Sequence, residues 1–426
     1  MRIIILTREI HKSGSWITDL VNALHNSTTN YAYSTKLLID VVSVDCGKNN
    51  DDDDDECCDN NCWNEVISSS TSPDYYDLLV NRVSDASPSI TIKRTLSILA
   101  LFELHDIPII NGTKCFIIGS NKWLHHRVFQ KAECMIPSSI VVSRGDDINV
   151  GEDNSSLERY RTAVIRATNC LLDDQCSGCT WPILWKPNSA GFGAGITLLA
   201  NMDDVISRIN DEWDNTTTTT TATATTANNG NGALSIVTTT TTTITDGTII
   251  LQEYLKPRLD TTYRVWFIGG RVCGAVSIKQ QQQQQRRHTM TTFTNACVGS
   301  ATCTLDDDAN SGRPIFTTWD PPKDVRDKVL HIANIASADC GSVELLYTES
   351  DGVMGHDGPY YFDLNMVSTL PNTNNMEVND PDNLWRLCGN DDDDDDGGDE
   401  NDCKKDFYDE LAEYILTKLS PRGAQT

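Results

Sequence analysis

The chain opens on four consecutive apolar residues, Ile3 to Leu6, followed by the polar Thr7, Arg8 and Glu9, a pattern that predicts a buried first strand. Trp16 to Leu24 predicts a helix, and Leu37 to Val44 and Tyr76 to Asn81 predict two more strands. Lys93 to His105 carries Leu96, Leu99, Ala100 and Phe102 at helical spacing, and Pro108 leads into a further short strand. This succession predicts a small three-layer α/β unit over residues 1–111. Its early Gly14 stands alone, so no glycine-rich dinucleotide fingerprint is expected there.

Beyond Asn111, Ser120 or Asn121 can cap a helix that Lys122 opens, with Trp123, Leu124, Val128 and Ala132 on one side and an end before Ile136-Pro137. Ile183 to Lys186 and Ile196 to Leu199 predict a hairpin around a turn from Asn188 to Gly195 with glycines at alternate positions. A helix from Met202 to Trp213 precedes strands Ile249 to Tyr254 and Tyr263 to Ile268, a Gly269-Gly270 turn, and strand Arg271 to Lys279. The last block predicts helix Lys323 to Ala338, strand Ser342 to Tyr347, a turn at Asp351-Gly352, strand Tyr360 to Asn365, and a closing helix Phe407 to Leu419. The whole reads as an α/β and α+β protein.

Composition changes this picture in one respect. At 426 residues and 39% hydrophobic content the chain can bury a large core, but several tracts cannot join it. These are the acidic, threonine-rich and glutamine runs within 48–62, 214–246, 280–288, 304–312 and 389–403, which lack the apolar side chains that would offset the entropy of ordering them. They read as inserted loops. The acidic runs Asp51 to Glu56, Asp306 to Asp308 and Asp391 to Asp396 also carry fifteen of the charges behind the formal net charge of -27. What remains is an ordinary acidic surface, which disfavours duplex nucleic acid and anionic membranes as partners and favours a small-molecule or peptide substrate. No stretch approaches the roughly 18 apolar residues of a membrane span, and the N-terminus does not read as a signal peptide. The 15 cysteines are odd in number and scattered, as expected of reduced thiols in the cytoplasm. Cys176 and Cys179 have zinc-knuckle spacing and Cys57, Cys58 and Cys62 could add ligands, but a structural zinc site needs two well-spaced pairs, and loop thiols are the expectation.

A site for Mg·ATP requires cations and backbone N–H groups for phosphate, an apolar slot for adenine, and oxygen ligands for a hard metal ion. Lys186 ends a strand that points into the glycine-rich tip, where missing side chains let backbone approach phosphate oxygens. Alone, that loop fits a flexible turn with a surface lysine equally well. Asp363 and Asn365 lie two apart on one strand and therefore share a face, and Glu344 on the preceding strand can join them. Asp363 and Glu344 are each flanked by apolar residues, the alternation of a half-buried strand. The pair His125-His126 reads as helix surface rather than as an acid/base pair.

The order of these pieces resembles the ATP-grasp superfamily from about Asn111 to Leu419, and within it the glutamate-ligase-like branch that includes the enzyme adding glutamates to a ribosomal protein. The matching segments are Leu104 to Asn111, Ser120-Asn-Lys122, Pro182 to Ile196, Leu251-Gln-Glu-Tyr-Leu255, Tyr263 to Gly270, and Phe362-Asp-Leu-Asn365. The resemblance implies a pre-ATP-grasp domain over 1–111 and a two-lobed ATP-grasp domain over 112–420 with ATP between two antiparallel sheets. It implies that Lys122 and Lys186 meet the phosphates and that Ser189, Gly191, Gly193 and Gly195 belong to a lid. Gln252, Glu253, Tyr254 and Leu255 would form the adenine hinge. Arg264, Lys279 and Asn295 fall where the family places groups that meet the transferred phosphate, substrate and metal. Glu344, Asp363 and Asn365 would ligate magnesium, with two ions expected and manganese as a substitute.

The implied chemistry joins a carboxylate to an amine through an acylphosphate. A hydroxyl acceptor, as in inositol phosphate kinases, and a nucleotide-binding protein without catalysis remain alternatives. Three departures from the family pattern stand out. Asn121 and Thr262 replace acidic residues, Glu344 and Asp363 stand where the usual order is Asp and then Glu, and the glutamine run interrupts the loop between Lys279 and Asn295.

Overall fold

In the computed structural model, which describes residues 1–8, 12, 14–30, 37–44, 75–84, 87, 89–144, 154–173, 179–189, 195–217, 247–279, 315–348, 358–366 and 407–419, the first strand β1 (Arg2–Thr7) is covered on both faces. Ile3 and Ile5 belong to one apolar cluster and Ile4 and Leu6 to another, which is why its pattern is continuous rather than alternating. β1 pairs in parallel with β2 (Leu38–Ser43) and β3 (Leu78–Asn81), and β3 with β4 (Ile109–Ile110), giving the sheet order β2-β1-β3-β4. Helix Ser15–Asn30 packs on one side and helix Ser89–Leu104 on the other, the expected three layers.

A second, antiparallel sheet has the order β5-β8-β6-β7, formed by β5 (Ser139–Ser143), β6 (Ile183–Pro187), β7 (Thr197–Leu199) and β8 (Thr248–Glu253). Helices Asn154–Leu172 and Met202–Thr217 cover the face that carries Ile183, Trp185, Ile249 and Leu251. Its other face, with Leu184, Lys186, Ile250 and Gln252, is left for a different neighbour.

The third sheet, also antiparallel, has the order β11-β10-β9-β12-β13, from β9 (Pro257–Ile268), β10 (Arg271–Lys279), β11 (Ile315–Thr318), β12 (Cys340–Thr348) and β13 (Tyr360–Asn365). Gly269 and Gly270 turn β9 into β10 with φ of 56° and 84°, as the paired glycines predicted. Helix Lys323–Ala336 lays Val325, Val329, Ile332, Ala333 and Ala336 against Val265, Phe267, Val343 and Leu345, which occupies one face of this sheet. On the opposite face, Trp266, Ile268, Val276 and Ile278 share a core with Ile3, Ile5 and the closing helix Phe407–Lys418, so the first unit and the third sheet bury apolar surface against each other.

Helix Thr113–Gly119, β5, helix Asn154–Leu172 and β11 are elements beyond those the pattern predicts. Leu157, Tyr160, Val164, Ala167 and Leu171 have the spacing of a helix face, so that helix was legible, whereas β11 is four residues long and has no pattern to read. Helix Met202–Thr217 runs a few residues into the threonine tract. Gly191, Gly193, Asn295, Cys176, the Asp351-Gly352 turn, the acidic and glutamine runs and most of the threonine tract lie outside the described residues. Among the described residues no helix is long and apolar enough to cross a membrane.

Candidate functional site

Three strands of the third sheet place a row of polar side chains on one face. Antiparallel pairing sets Arg264 of β9 opposite Glu344 of β12, and Glu344 opposite Asp363 of β13. The register shifts between Glu344 and Leu345, so that Phe362 has no partner in the ladder. A bulge of this kind re-aims side chains at a sheet edge, and here it turns Phe362 toward the second sheet, where the Lys186 Nζ lies 5.7 Å from its ring centroid.

Glu344 is 8% exposed. Its Oε1 accepts from the Arg264 guanidinium in a close ion pair and, at 3.0 Å, from the Asn365 Nδ2. An Asn365 that donates through Nδ2 has its Oδ1 directed elsewhere, which leaves that oxygen for a ligand. The Arg264 Nε is buried with no hydrogen-bond partner among the described residues.

Asp363 is held from the other side by the helix Lys122–Lys131. His125 Nδ1 lies 3.0 Å from Asp363 Oδ1, and His125 Nε2 lies 3.1 Å from the Gly119 carbonyl oxygen. Each ring nitrogen thus faces an oxygen of the protein. Gly119 comes close enough because it lacks a side chain: a Cβ there would meet Met366 Cγ at 2.6 Å. Burial by itself raises the Asp363 pKa, but the His125 hydrogen bond and the charges of Lys122, His125 and Lys186 outweigh it and hold the carboxyl well below the usual range.

Lys186, at 7% exposure, comes from the uncovered face of the second sheet. Burial lowers its pKa to about 8, and Lys122 adds to that, while Asp363 and Glu344 pull the other way. Asn188 ties these elements together. Its carbonyl accepts from Lys122 N at 3.0 Å, its Oδ1 from Trp123 N at 3.0 Å, and its own N–H donates to Thr248 O at 3.0 Å. Asn121 caps the same helix through Leu124 N at 3.0 Å, as its sequence position predicted.

Ser189 is half-buried next to this clamp. Gly195 has a φ of 74°, and a Cβ on it would meet Pro187 Cγ at 2.7 Å, so the hairpin closes there only on a glycine. The chain leaves the second sheet at Glu253 and enters the third at Pro257, so Tyr254 and Leu255, both half-buried, span the two. Glu253 Oε2 accepts from Ser138 N at 3.1 Å, and Gln252 Nε2 donates to Ser139 Oγ at 2.9 Å. Ile250, on the Lys186 face, is buried.

The structure therefore brings together Lys122, Lys186, Arg264, Glu344, Asp363 and Asn365. It does not bring Lys279 with them: Lys279 pairs with Thr261, three positions along from the Val276 to Arg264 pair, an odd number that puts it, exposed, on the opposite face of the sheet. The histidines correct the surface reading. His125 and His126 are 2% and 7% exposed, His126 stacks on Trp123, and burial followed by the Lys186 and Arg127 charges lowers the His126 pKa to about 4. His125 stands three residues after Lys122 on one helical face, the spacing that could have revealed it.

Among the described residues no three His, Cys, Asp or Glu side chains converge as a metal cluster. The set here is two carboxylates and one amide oxygen, which fits a hard ion that keeps part of its shell as water and phosphate oxygens.

This architecture, with a parallel sheet leading into two antiparallel sheets that meet at Lys186 and Phe362, is the ATP-grasp fold. The chain superposes on D-cycloserine synthetase DcsG with a TM-score of 0.51 and 12% identity, over 98% of this chain and 99% of that one. It is also similar to the ATP-grasp ligase PsnB complexed with a phosphomimetic variant of its minimal precursor, Mg and ADP (TM-score 0.49, 9% identity, 98% of each chain). A RimK domain ATP-grasp protein from Sphaerobacter thermophilus matches at a TM-score of 0.45 and 11% identity, over 87% of this chain and 92% of that one. No family model matches the chain, and no curated protein matches it. At these identities the likeness is one of fold.

Proposed function

We propose that the protein is an ATP-dependent ligase that joins a carboxylate to an amine, with residues 1–111 on the substrate side and residues 112–420 holding the nucleotide. The observation that carries this reading is the convergence of three cations, Lys122 from a helix, Lys186 from the second sheet and Arg264 from the third, on the row Glu344, Asp363 and Asn365. Adenine enters between Leu184 and Ile250 on one side and Phe362 on the other, beside the backbone of Glu253 to Leu255. Lys186 and Lys122 meet the phosphate oxygens, and Ser189 and the following glycine loop close over them. Glu344, Asp363 and Asn365 would hold magnesium, which neutralises phosphate charge.

In the reaction a substrate carboxylate oxygen attacks the γ-phosphorus, the bond to the β-bridging oxygen breaks, and ADP leaves. The amine nitrogen then attacks the acyl carbon and loses its proton to solvent, and phosphate departs with the former carbon–oxygen pair. The chain contributes position and charge. Arg264, held by Glu344, offers its Nε, which has no partner among the described residues, to the transferring group. His125 keeps Asp363 ionised and oriented.

Hydroxylamine trapping tests the reading. With Mg·ATP, a panel of amino acids and short peptides and hydroxylamine as the amine, the protein should form a hydroxamate in step with ADP. Lys186→Ala should abolish both, together with the thermal stabilisation of roughly 2.7 kcal/mol that a ligand at about 100 times its Kd provides. Phosphorylation of a hydroxyl compound with no hydroxamate from any carboxylate would replace this reading with the kinase.

A further inference from the structure

The parallel sheet has a feature that the nucleotide cleft does not use. Its order β2-β1-β3-β4 places the topological switch between β1 and β3, because the chain leaves β1 toward β2 on one side and returns to β3 on the other. Ligands of open α/β sheets bind at the carboxyl ends of the strands at such a point. Here those ends carry Thr7 on β1 and, just past β3, Arg82 and Ser87, with Trp16 in the first turn of the helix that follows β1.

All four are buried: Thr7 at 1%, Ser87 at 3%, Arg82 at 8% and Trp16 at 9% exposure. The Thr7 Oγ1, Ser87 Oγ and Trp16 Nε1 have no hydrogen-bond partner among the described residues. Buried donors left unpaired are rare, and three at the carboxyl end of this sheet are hard to account for unless a ligand pairs them. The Arg82 guanidinium stacks 3.1 Å from the Trp16 ring centroid, so a buried positive charge stands among them.

The group also lies beside the start of β12. Trp16 shares a core with Trp266 and Cys340, and the Arg82 charge acts on the Cys340 thiol. Cys340, Ser342 and Glu344 alternate along one face of β12. Ser342 is fully buried, and its Oγ too lacks a partner among the described residues.

We infer that Thr7, Trp16, Arg82 and Ser87 form a subsite for an anionic oxygen group of the substrate, a carboxylate or a phosphate, remote from the reacting carboxyl. Cys340 and Glu344 are four residues apart, roughly 14 Å along a strand, so the substrate is elongated, with its anchored anion about 10 Å or more from the group that reacts. The existence of the subsite does not depend on the ligase reading; only its place in the reaction does.

The test uses the full chain labelled with 5-fluorotryptophan, the Trp16 signal being the one missing in Trp16→Phe. Succinate and inorganic phosphate are titrated separately, with chloride at equal ionic strength as the control. The expected result is a saturable shift of the Trp16 signal by one of them and none by chloride. Succinate alone identifies a carboxylate anchor, and phosphate alone a phosphorylated substrate. Thr7→Val and Ser87→Ala provide the control for folding. Because their hydroxyls have no partner among the described residues, both variants should melt at or above the parent temperature and should still bind Mg·ATP, yet weaken the anion shift at least tenfold. Lys186→Ala should do the converse, so that failure of the nucleotide site and failure of this subsite are told apart. A Trp16 signal unmoved by both anions, a shift shared with chloride, or a melting temperature lowered in both hydroxyl variants would overturn the assignment.

Discussion

Asn111 and Asp339, 228 residues apart, exchange a reciprocal pair of hydrogen bonds. Asn111 N–H donates to Asp339 Oδ2 at 2.9 Å, and Asp339 N–H donates to Asn111 Oδ1 at 2.9 Å. The Asn111 Nδ2 adds bonds to the carbonyls of Cys340 at 2.9 Å and Met366 at 2.8 Å, and Asp339 Oδ1 accepts from the Tyr414 hydroxyl at 2.6 Å. One asparagine thus joins the parallel sheet to β12 and to the end of β13, and its partner extends the tie to the closing helix. Asn111 also holds a φ of 56°, where asparagine is among the few tolerated side chains.

Asn111→Ala should therefore cost about 3–5 kcal/mol, from several buried polar groups left unpaired and a left-handed backbone. Asn111→Gly removes the same bonds without the backbone penalty and should recover roughly 1 kcal/mol of that. Urea unfolding measures both. A loss below about 1 kcal/mol in the alanine variant would show that the tie contributes little.

Lys186 should make stability depend on pH in a definite direction. Its folded pKa is depressed by burial from 10.5 to about 8, so between those values the unfolded chain holds a proton that the native lysine has shed. Native stability from this group is then fully present above pH 10.5 and is lost as pH falls through about 8. Relative to Lys186→Met, the parent should gain on the order of 3 kcal/mol as pH rises across that window, without nucleotide or metal. Unfolding of the two proteins at pH 7 to 10 should show the gap changing, and a constant gap would contradict the buried-cation picture.

The His125 contact with Asp363 predicts a coupled loss. His125→Ala leaves Asp363 and the Gly119 carbonyl short of a donor, which should destabilise the fold by about 2–3 kcal/mol. It should also reduce the magnesium-dependent part of the Mg·ATP thermal shift, since Asp363 is no longer held. Equal shifts in variant and parent, each normalised to its own melting temperature, would remove His125 from the site.

Arg264 and Glu344 are largely withdrawn from solvent, with side chains 12% and 10% exposed, so breaking the pair from one side should be worse than removing it whole. Glu344→Gln and Arg264→Met are each expected to cost roughly 3–5 kcal/mol, and the double variant less than the sum by at least 1 kcal/mol. Additive losses in a double-mutant cycle would mean that the two act independently.

Much of this was legible along the chain. The apolar run of β1, the paired glycines before Arg271 and the cap at Asn121 are local signals, because strand and helix periods and turn chemistry act over a few residues. For the same reason Asp363 and Asn365 could be placed on one face, and Lys186 at the end of its strand, before any partner was known. The resemblance to ATP-grasp sequences supplied the fold, which the superposition on DcsG bears out.

Tertiary structure alone decided which of these residues meet. A strand's own sequence sets the alternation of its side chains but not its register against a strand some eighty residues away, and a slip of one residue exchanges the two faces. That register, with its shift beside Glu344, aligned Arg264, Glu344 and Asp363 and sent Lys279 to the other face. Burial is equally non-local. Nothing near His125 announces the carboxylate it contacts, and nothing near Thr7 or Trp16 shows that their donors end up unpaired at the switch point, because a polar group's partners are supplied or withheld by chain folded from elsewhere.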